Sequence, residues 1–160
     1  MRRSTAELDD VEERVVRCLL FGRTTMDLLC DSLYIQCHQV RQALDGLEAA
    51  GLVRRRGEDG RGALEAELTD AGRACALEGV DPRQAASADQ QLSADDVRYL
   101  RALADGAPPP RQAECEWGVG ATRQHLWELR LIDVTGFIRP RSVLTDRGRD
   151  VVRGLEGVLS

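Results

Sequence analysis

The first half of the chain repeats apolar side chains at steps of three and four residues, with polar side chains between them. Three such stretches precede residue 50, and each predicts an amphipathic helix. Asp9 or Asp10 is suited to cap the first helix, and residues 24–27 offer a cap to the second. Gly22 and Gly51 are suited to end the first and third helices. The predicted inward positions are Val11, Val15, Cys18 and Leu19, then Met26, Leu29, Cys30 and Leu33, and finally Val40, Ala43, Leu44 and Leu47.

Beyond the third helix the pattern changes to alternation, which is typical of strands. Two alternating stretches, residues 52–56 and 64–68, flank a glycine-rich segment, and this order predicts a β-hairpin with its tip at the glycines. Charges on opposite strands would lie close enough to pair and to neutralise one another in part. The expected partners are Arg54 and Arg56 on one strand and Glu65 and Glu67 on the other.

The second half of the chain repeats this order less regularly. Ser93 and Asp96 form a capping pair for a helix with Val97, Leu100, Leu103 and Ala104 on one face. Gly106 and the three prolines after it end that helix. The further predicted elements are helices at 111–117 and 119–131 and strands at 132–134 and 142–144.

One hexapeptide occurs twice, as Leu-Thr-Asp-Ala-Gly-Arg at 68–73 and Leu-Thr-Asp-Arg-Gly-Arg at 144–149. Two copies, each directly after a predicted hairpin, indicate an internal repeat. In each copy Thr or Asp would cap the next helix, and Gly would let that helix lie close to its neighbour. The sequence therefore predicts a mainly α, α+β protein with similar domains at 1–80 and 93–160. The polar stretch 81–92 would be a linker or a short connecting helix.

Residues 35–73 contain Leu-Glu-Ala-Ala-Gly-Leu-Val at 47–53, with Val40 and Leu44 before it and the charged hairpin and Leu-Thr-x-x-Gly after it. This combination resembles winged helix-turn-helix regulators of the MarR and PadR kind. The resemblance implies tandem winged helix-turn-helix domains in a dimeric, sequence-specific regulator, usually a repressor, that reads double-stranded DNA with its third helix. Such a regulator would act either as a homodimer or with its two repeats as a pseudo-twofold pair. The resemblance also implies that a ligand or an oxidant often controls binding.

Outward side chains of the third helices are the candidate base contacts, because Gln and Arg suit the edges of adenine and guanine. They are Gln36, His38, Gln39, Arg41 and Gln42 in the first repeat, and Thr122, Arg123 and Gln124 in the second. Arginines of the hairpins are the candidate phosphate contacts, and an Arg-Pro-Arg tip also suits a narrow minor groove. They are Arg54, Arg55, Arg56 and Arg61 in the first hairpin and Arg139 and Arg141 in the second, with Arg2 and Arg3 as a basic arm.

The net charge of −5 opposes this interpretation, because a DNA-binding surface must neutralise phosphates. Residues 1–80 alone carry 11 arginines and 15 acidic residues. A second hypothesis therefore stays open, since tandem winged helices also serve as acidic protein-interaction adaptors without DNA contact. A positive surface joining helix and hairpins would favour the regulator, and its absence would favour the adaptor.

The five cysteines are scattered and lack paired metal-ligand spacing, so reduced thiols and no metal site are expected. Cys18 and Cys30 lie on inward stripes, and Cys75 and Cys115 lie on predicted helices; all four are expected to be packing residues. Cys37 is adjacent to His38 at the exposed start of the third helix, and it is therefore a candidate redox sensor.

Catalysis is not predicted, because the chain has two histidines, no nucleophile elbow and no phosphate-binding glycine loop. We expect a non-enzyme without a cofactor. No apolar run approaches membrane-spanning length, and the acidic N-terminal stretch does not resemble a signal peptide. A cytoplasmic protein without a membrane partner is expected.

The C-terminal stretch predicts one more amphipathic helix. It would either fold back on the second repeat or cross to another chain, and we favour the homodimer because two small cores gain from shared apolar surface. The apolar stripe consists of Val151, Val152, Leu155, Val158 and Leu159.

Overall fold

The computed structural model describes residues 7–56 and 64–159, with side chains in the last helix as far as Glu156. It is mainly helical with two small antiparallel hairpins, which confirms the predicted α+β class. The chain divides into two compact units, Met1–Gln91 and Leu92–Ser160.

The first unit places three helices before its hairpin and two after it. The predicted helices and strands are all present, and the stretch predicted as a linker or connecting helix contains a short helix. In chain order the elements are α1 (Asp10–Leu20), α2 (Met26–Leu33), α3 (Cys37–Ala49), β1 (Val53–Arg56), β2 (Glu65–Leu68), α4 (Asp70–Leu77) and α5 (Pro82–Ala88).

Helix caps fix where these helices begin. The Asp9 side chain accepts from the Glu12 N–H at 2.8 Å, and the Glu12 side chain accepts from the Asp9 N–H at 3.2 Å, forming a capping box. Thr25 caps α2 through the Leu28 N–H. Thr25 also bridges to Glu65, so the chain before α2 pairs with β2, a contact that the sequence did not predict. The inward stripes form the core as expected, except that Val11 and Cys30 are half-buried.

The second unit contains α6 (Ala94–Ala104), a 3₁₀ turn (Gln112–Glu114), α7 (Val119–Glu128), β3 (Ile132–Thr135), β4 (Arg141–Leu144) and α8 (Asp146–Leu159). Ser93 caps α6 as predicted. Large aliphatic side chains dominate the core, and its buried members are Leu92, Val97, Tyr99, Leu100, Leu126, Leu131, Ile132, Val152 and Leu155.

Several predictions for this unit are wrong. Residues 111–117 form only a 3₁₀ turn: the backbone is extended at Cys115, and the Trp117 N–H donates to Asp95 rather than to a carbonyl of the same segment. The helix predicted at 119–131 ends at Glu128, since Arg130 has a left-handed backbone that turns Leu131 into the core. Ala104, expected on the inner face, is exposed at the last turn of α6.

The repeated hexapeptide makes the same junction in both units. In the first, the Thr69 hydroxyl donates to the Gly51 carbonyl at 2.7 Å and accepts from the Gly72 N–H at 3.1 Å, while the Thr69 N–H donates to the Leu52 carbonyl at 3.0 Å. This network fastens the end of the hairpin to the end of α3. In the second unit Thr145 makes the matching bonds to Arg130 at 2.8 Å, Gly148 at 3.0 Å and Leu131 at 3.1 Å.

The glycine of each copy permits this close approach. A Cβ on Gly72 would lie 2.8 Å from the Leu52 carbonyl carbon and closer still to its oxygen. A Cβ on Gly148 would lie 3.0 Å from the Leu131 carbonyl carbon in the same way. Real Cβ atoms do not approach backbone this closely, so both helices depend on glycine here.

The last helix folds back on its own unit, at least in the part whose side chains are described. Val152 is 5% exposed and Leu155 is 2% exposed, and both belong to the core of the second unit. The expectation that this stripe crosses to another chain is therefore wrong for these two positions. Val158 and Leu159 lie outside the described side chains.

Candidate nucleic-acid interface

Helix α3 presents its predicted polar face to solvent. Val40, Ala43, Leu44 and Leu47 are buried, which leaves the intervening positions outward. The Gln39 side chain accepts from the Gln36 N–H at 3.1 Å, so Gln39 caps the helix as well as facing solvent. The exposed candidates are Gln36, Cys37, His38, Gln39, Arg41 and Gln42.

The arginines of the first hairpin are occupied by acidic neighbours. Arg54 and Arg56 both bind Glu67, at 2.5 Å and 2.6 Å. Arg55 contacts Asp45 and also lies 3.3 Å from Glu48, both on α3. The strand register matches the prediction, with Arg54 opposite Glu67 and Arg56 opposite Glu65. Arg2, Arg3 and Arg61 lie outside the described residues.

Titration of Glu67 reflects this pairing. The hydrogen bond from Arg54 is the largest effect and lowers the Glu67 pKa; desolvation is the next largest and opposes it, and the hydrogen bond from Arg56 lowers the pKa further. The carboxylate is therefore ionised at neutral pH and cancels charge that would otherwise face a phosphate.

Helix α7 of the second unit brings some predicted contacts to the surface and buries another. Arg123 and Gln124 are exposed, and the Gln124 amide donates to Glu128 at 3.1 Å. Thr122 is fully buried, so the prediction that it reaches a base is wrong. The helical phase explains this, since Ala121, Thr122, His125 and Leu126 form the inner face.

A buried polar cluster holds α7 in place. Asp96 accepts from the Ser93 N–H at 2.8 Å and from the Ser93 hydroxyl at 2.9 Å, and its carboxylate lies 3.9 Å from His125 Nε2. The neighbouring Asp95 accepts from the Trp117 N–H at 3.0 Å, directly before the helix begins. These contacts orient the helix that presents Arg123.

The second hairpin differs from the first in the pairing of its arginines. Arg139 and Arg141 are exposed, and like Arg123 they form no ion pair with any residue in the described ranges 7–56 and 64–159. Phe137 is fully exposed and Ile138 is 90% exposed at the same tip, while Trp127 on α7 is 56% exposed. Sequence reasoning missed these three apolar side chains. The sequence did indicate exposure for Phe137 and Ile138, because they lie between Gly136 and Pro140 in the short turn that joins the two predicted strands, where there is no room to bury them.

The acidic excess of the chain belongs entirely to the first unit. Residues 1–91 carry 12 arginines and 17 acidic residues, whereas residues 92–160 carry 10 of each. Within the second unit, residues 119–149 carry six arginines and three acidic residues. The segment that contains α7 and the second hairpin therefore carries a net positive charge.

The cysteines match their predicted packing positions only in part. Cys18 and Cys75 are buried, as predicted for packing residues, and Cys115 is half-buried. Burial is the main cause that raises the pKa of Cys115. Cys30 Sγ lies 2.8 Å from Cys37 Sγ, so Cys30 is not the core residue that the stripe predicted. Among the described residues, no three His, Cys, Asp or Glu side chains group as a metal site requires.

Comparison with known proteins adds no assignment. No protein-family model, curated protein or solved structure matches this chain. Within the part of the chain that the structure describes, no helix has the length and apolar content that a membrane span requires.

Proposed function

We propose that this protein is a sequence-specific DNA-binding transcriptional regulator, acting as a repressor, with two winged-helix units, and that the second unit supplies most of the phosphate contacts. The first unit supports the fold assignment through its order of helix, Thr25 bridge, two helices and hairpin. The second unit keeps the third helix and the hairpin but has a 3₁₀ turn in place of the second helix.

The observation that carries the proposal is the contrast between the two hairpins. Arg139 and Arg141 have no acidic partner among the described residues, whereas Arg54 and Arg56 share Glu67. An arginine already paired must give up its carboxylate to bind a phosphate, while an unpaired one only releases counterions from the DNA. Affinity for DNA should therefore come mainly from the second hairpin and Arg123.

The composition of the second tip supports minor-groove contact. Proteins that bind the minor groove combine arginines with apolar side chains that wedge between base steps. Phe137 and Ile138 offer such wedges beside Arg139. In the first unit, Arg41 and Gln42 remain the candidates for base reading, because both are exposed and neither is used in an ion pair or a cap described above.

A protein-interaction adaptor is the second candidate, and the same apolar side chains favour it. Exposed aromatic anchors are typical of the centre of protein interfaces. Phe137 and Trp127 would serve as such anchors. An adaptor does not bind DNA, so neutralisation of the first hairpin by Glu67 would not impair it. The two functions differ in their requirement for Arg139 and Arg141.

Fluorescence-anisotropy titration against a random pool of double-stranded DNA separates the candidates. The test variant is Arg139→Gln with Arg141→Gln. The control is Arg149→Gln with Arg153→Gln, which removes the same charge from the same unit but from arginines paired with Asp146 and Asp150. We expect the test variant to weaken binding at all salt concentrations and to lower the slope of log K against log salt by about 2.

The control variant should bind nearly as the unchanged protein does. Equal losses in both variants would mean that only net charge matters and would contradict the proposed interface. Absence of binding by the unchanged protein at low salt would overturn the DNA proposal and leave the adaptor. Selection of DNA sequences by the unchanged protein, followed by loss of that preference in Arg41→Ala, would identify α3 as the base-reading helix.

A further inference from the structure

Two cysteines meet across the turn that joins α2 to α3. Cys30 is in the last turn of α2 and is half-buried, whereas Cys37 is the first residue of α3 and is exposed. Their sulfur atoms lie 2.8 Å apart, compared with about 2.05 Å in a disulfide bond. Bond formation therefore requires only a small movement of two side chains.

The environment gives the two sulfurs different roles. Burial is the main cause that raises the pKa of Cys30 to about 12, and the hydrogen bond with Cys37 and the charges of Cys37, Asp27 and Asp31 raise it further. Cys30 therefore keeps its proton at neutral pH. Because Cys37 is exposed at the surface, it is the sulfur that a dissolved oxidant reaches first.

We propose that Cys30 and Cys37 form a peroxide-reactive dithiol that closes to an intramolecular disulfide. The Cys37 sulfur attacks one oxygen of hydrogen peroxide, the O–O bond breaks, and a sulfenic acid and one water form. The Cys30 sulfur then attacks the sulfenic sulfur, the S–O bond breaks, and the hydroxide leaves as a second water with the Cys30 proton. Two thiols lose two electrons in total, and one peroxide is reduced to two waters.

A short turn joins the two cysteines. Tyr34 ends α2 with a left-handed backbone, φ 54°, and residues 34–36 form the whole turn. The disulfide would join the end of α2 to the first residue of α3 and would restrict the entry of α3, which presents Arg41 and Gln42. This inference does not depend on DNA binding, because bond formation is measured on the protein alone.

Intact-mass spectrometry of the full-length protein tests the dithiol. Reduced protein is treated with one equivalent of hydrogen peroxide and then with an alkylating reagent. We expect three of the five cysteines to be alkylated after full denaturation, a mass lower by two hydrogens before alkylation, and a Cys30–Cys37 linked peptide after digestion. Dithiothreitol should restore five alkylated cysteines.

Single variants assign the order of steps. Cys30→Ser should stop at the sulfenic acid, which dimedone traps at residue 37, and Cys37→Ser should show no rapid reaction. Cys115→Ser is the matched control, because it removes another half-buried thiol and should still form the disulfide. Circular dichroism checks that each variant is folded. Five alkylated cysteines after peroxide, a linked peptide from another pair, or unchanged disulfide formation in Cys37→Ser would overturn the proposal.

Discussion

Gly51 and Arg130 occupy the same position in the two junctions, since the carbonyl of each accepts a hydrogen bond from the junction threonine. Both have a left-handed backbone, with φ 74° for Gly51 and φ 57° for Arg130. Glycine adopts this conformation without steric cost, whereas in other residues the Cβ atom lies too close to the carbonyl oxygen that follows it. The second unit therefore carries a local strain that the first avoids.

Replacing Arg130 by Gly should stabilise the second unit. Relief of the left-handed strain should raise the free energy of unfolding by about 1 kcal/mol, offset in part by the greater entropy of glycine in the unfolded chain. Urea unfolding followed by Trp fluorescence measures the change, because Trp117 and Trp127 both belong to this unit. Glu128→Gly, within the last turn of α7, is the control and should destabilise by up to about 1 kcal/mol. A loss of stability in Arg130→Gly would contradict the strain argument.

Single residues were predictable from the sequence where their role is local. The caps at Asp9, Thr25 and Ser93 follow from hydrogen bonds to the next turn of the same helix, so their neighbours in sequence suffice. The position of Cys30 was not predictable, because its contact with Cys37 depends on how the turn after α2 bends. Thr122 was misplaced although the predicted start of α7 at Val119 is right, because Thr122 lies four residues before Leu126 and so shares the buried face of the helix.

The two hairpins share a fold but differ in charge balance. Both are antiparallel and both end at a Leu-Thr junction. Their register could be predicted from alternation and turn length, but the sharing of one carboxylate by Arg54 and Arg56 could not, because it depends on side-chain conformation. The helix expected at 111–117 fails at the same scale, since the Trp117 N–H binds Asp95, a residue outside the segment that local sequence could not identify as its partner.

The first hairpin should show its ion pairs in the titration of Glu67. A lowered pKa in the folded state means that the pairing stabilises the fold above the ordinary glutamate pKa and is lost as the pH falls through the lowered value. NMR titration of the side-chain carboxyl carbons should therefore give a pKa for Glu67 below that of an unpaired glutamate.

Substitution then identifies the cause. Arg54→Gln should move the Glu67 pKa upward more than Arg56→Gln does, because the hydrogen bond from Arg54 is the larger cause. If neither substitution moves the pKa, Glu67 does not pair with these arginines in solution, and the first hairpin regains its free positive charge.

On the scale of the whole molecule, the net charge conceals a division between the units. The value of −5 opposes DNA binding only if the charge is spread evenly, yet residues 92–160 are neutral and residues 1–91 hold the whole excess. Charge summed over the chain could not predict this, whereas the count for residues 1–80, 11 arginines and 15 acidic residues, already indicated it. Electrostatic attraction to DNA depends on the local surface, so an acidic protein can still have one DNA-binding face.

Truncation at two positions should separate the folding role of α8 from its role in assembly. A chain ending at Arg149 lacks Val152 and Leu155 and should lose several kcal/mol from the second unit, because each buried aliphatic side chain contributes about 1–5 kcal/mol. A chain ending at Glu156 keeps both and should unfold as the intact protein does.

We expect light scattering to give a dimer for the intact chain and a monomer for the chain ending at Glu156, since Val158 and Leu159 are the apolar positions of the stripe that remain for another chain. A monomeric intact chain would refute the homodimer, and a dimer in both would assign the contact to a surface other than the end of α8.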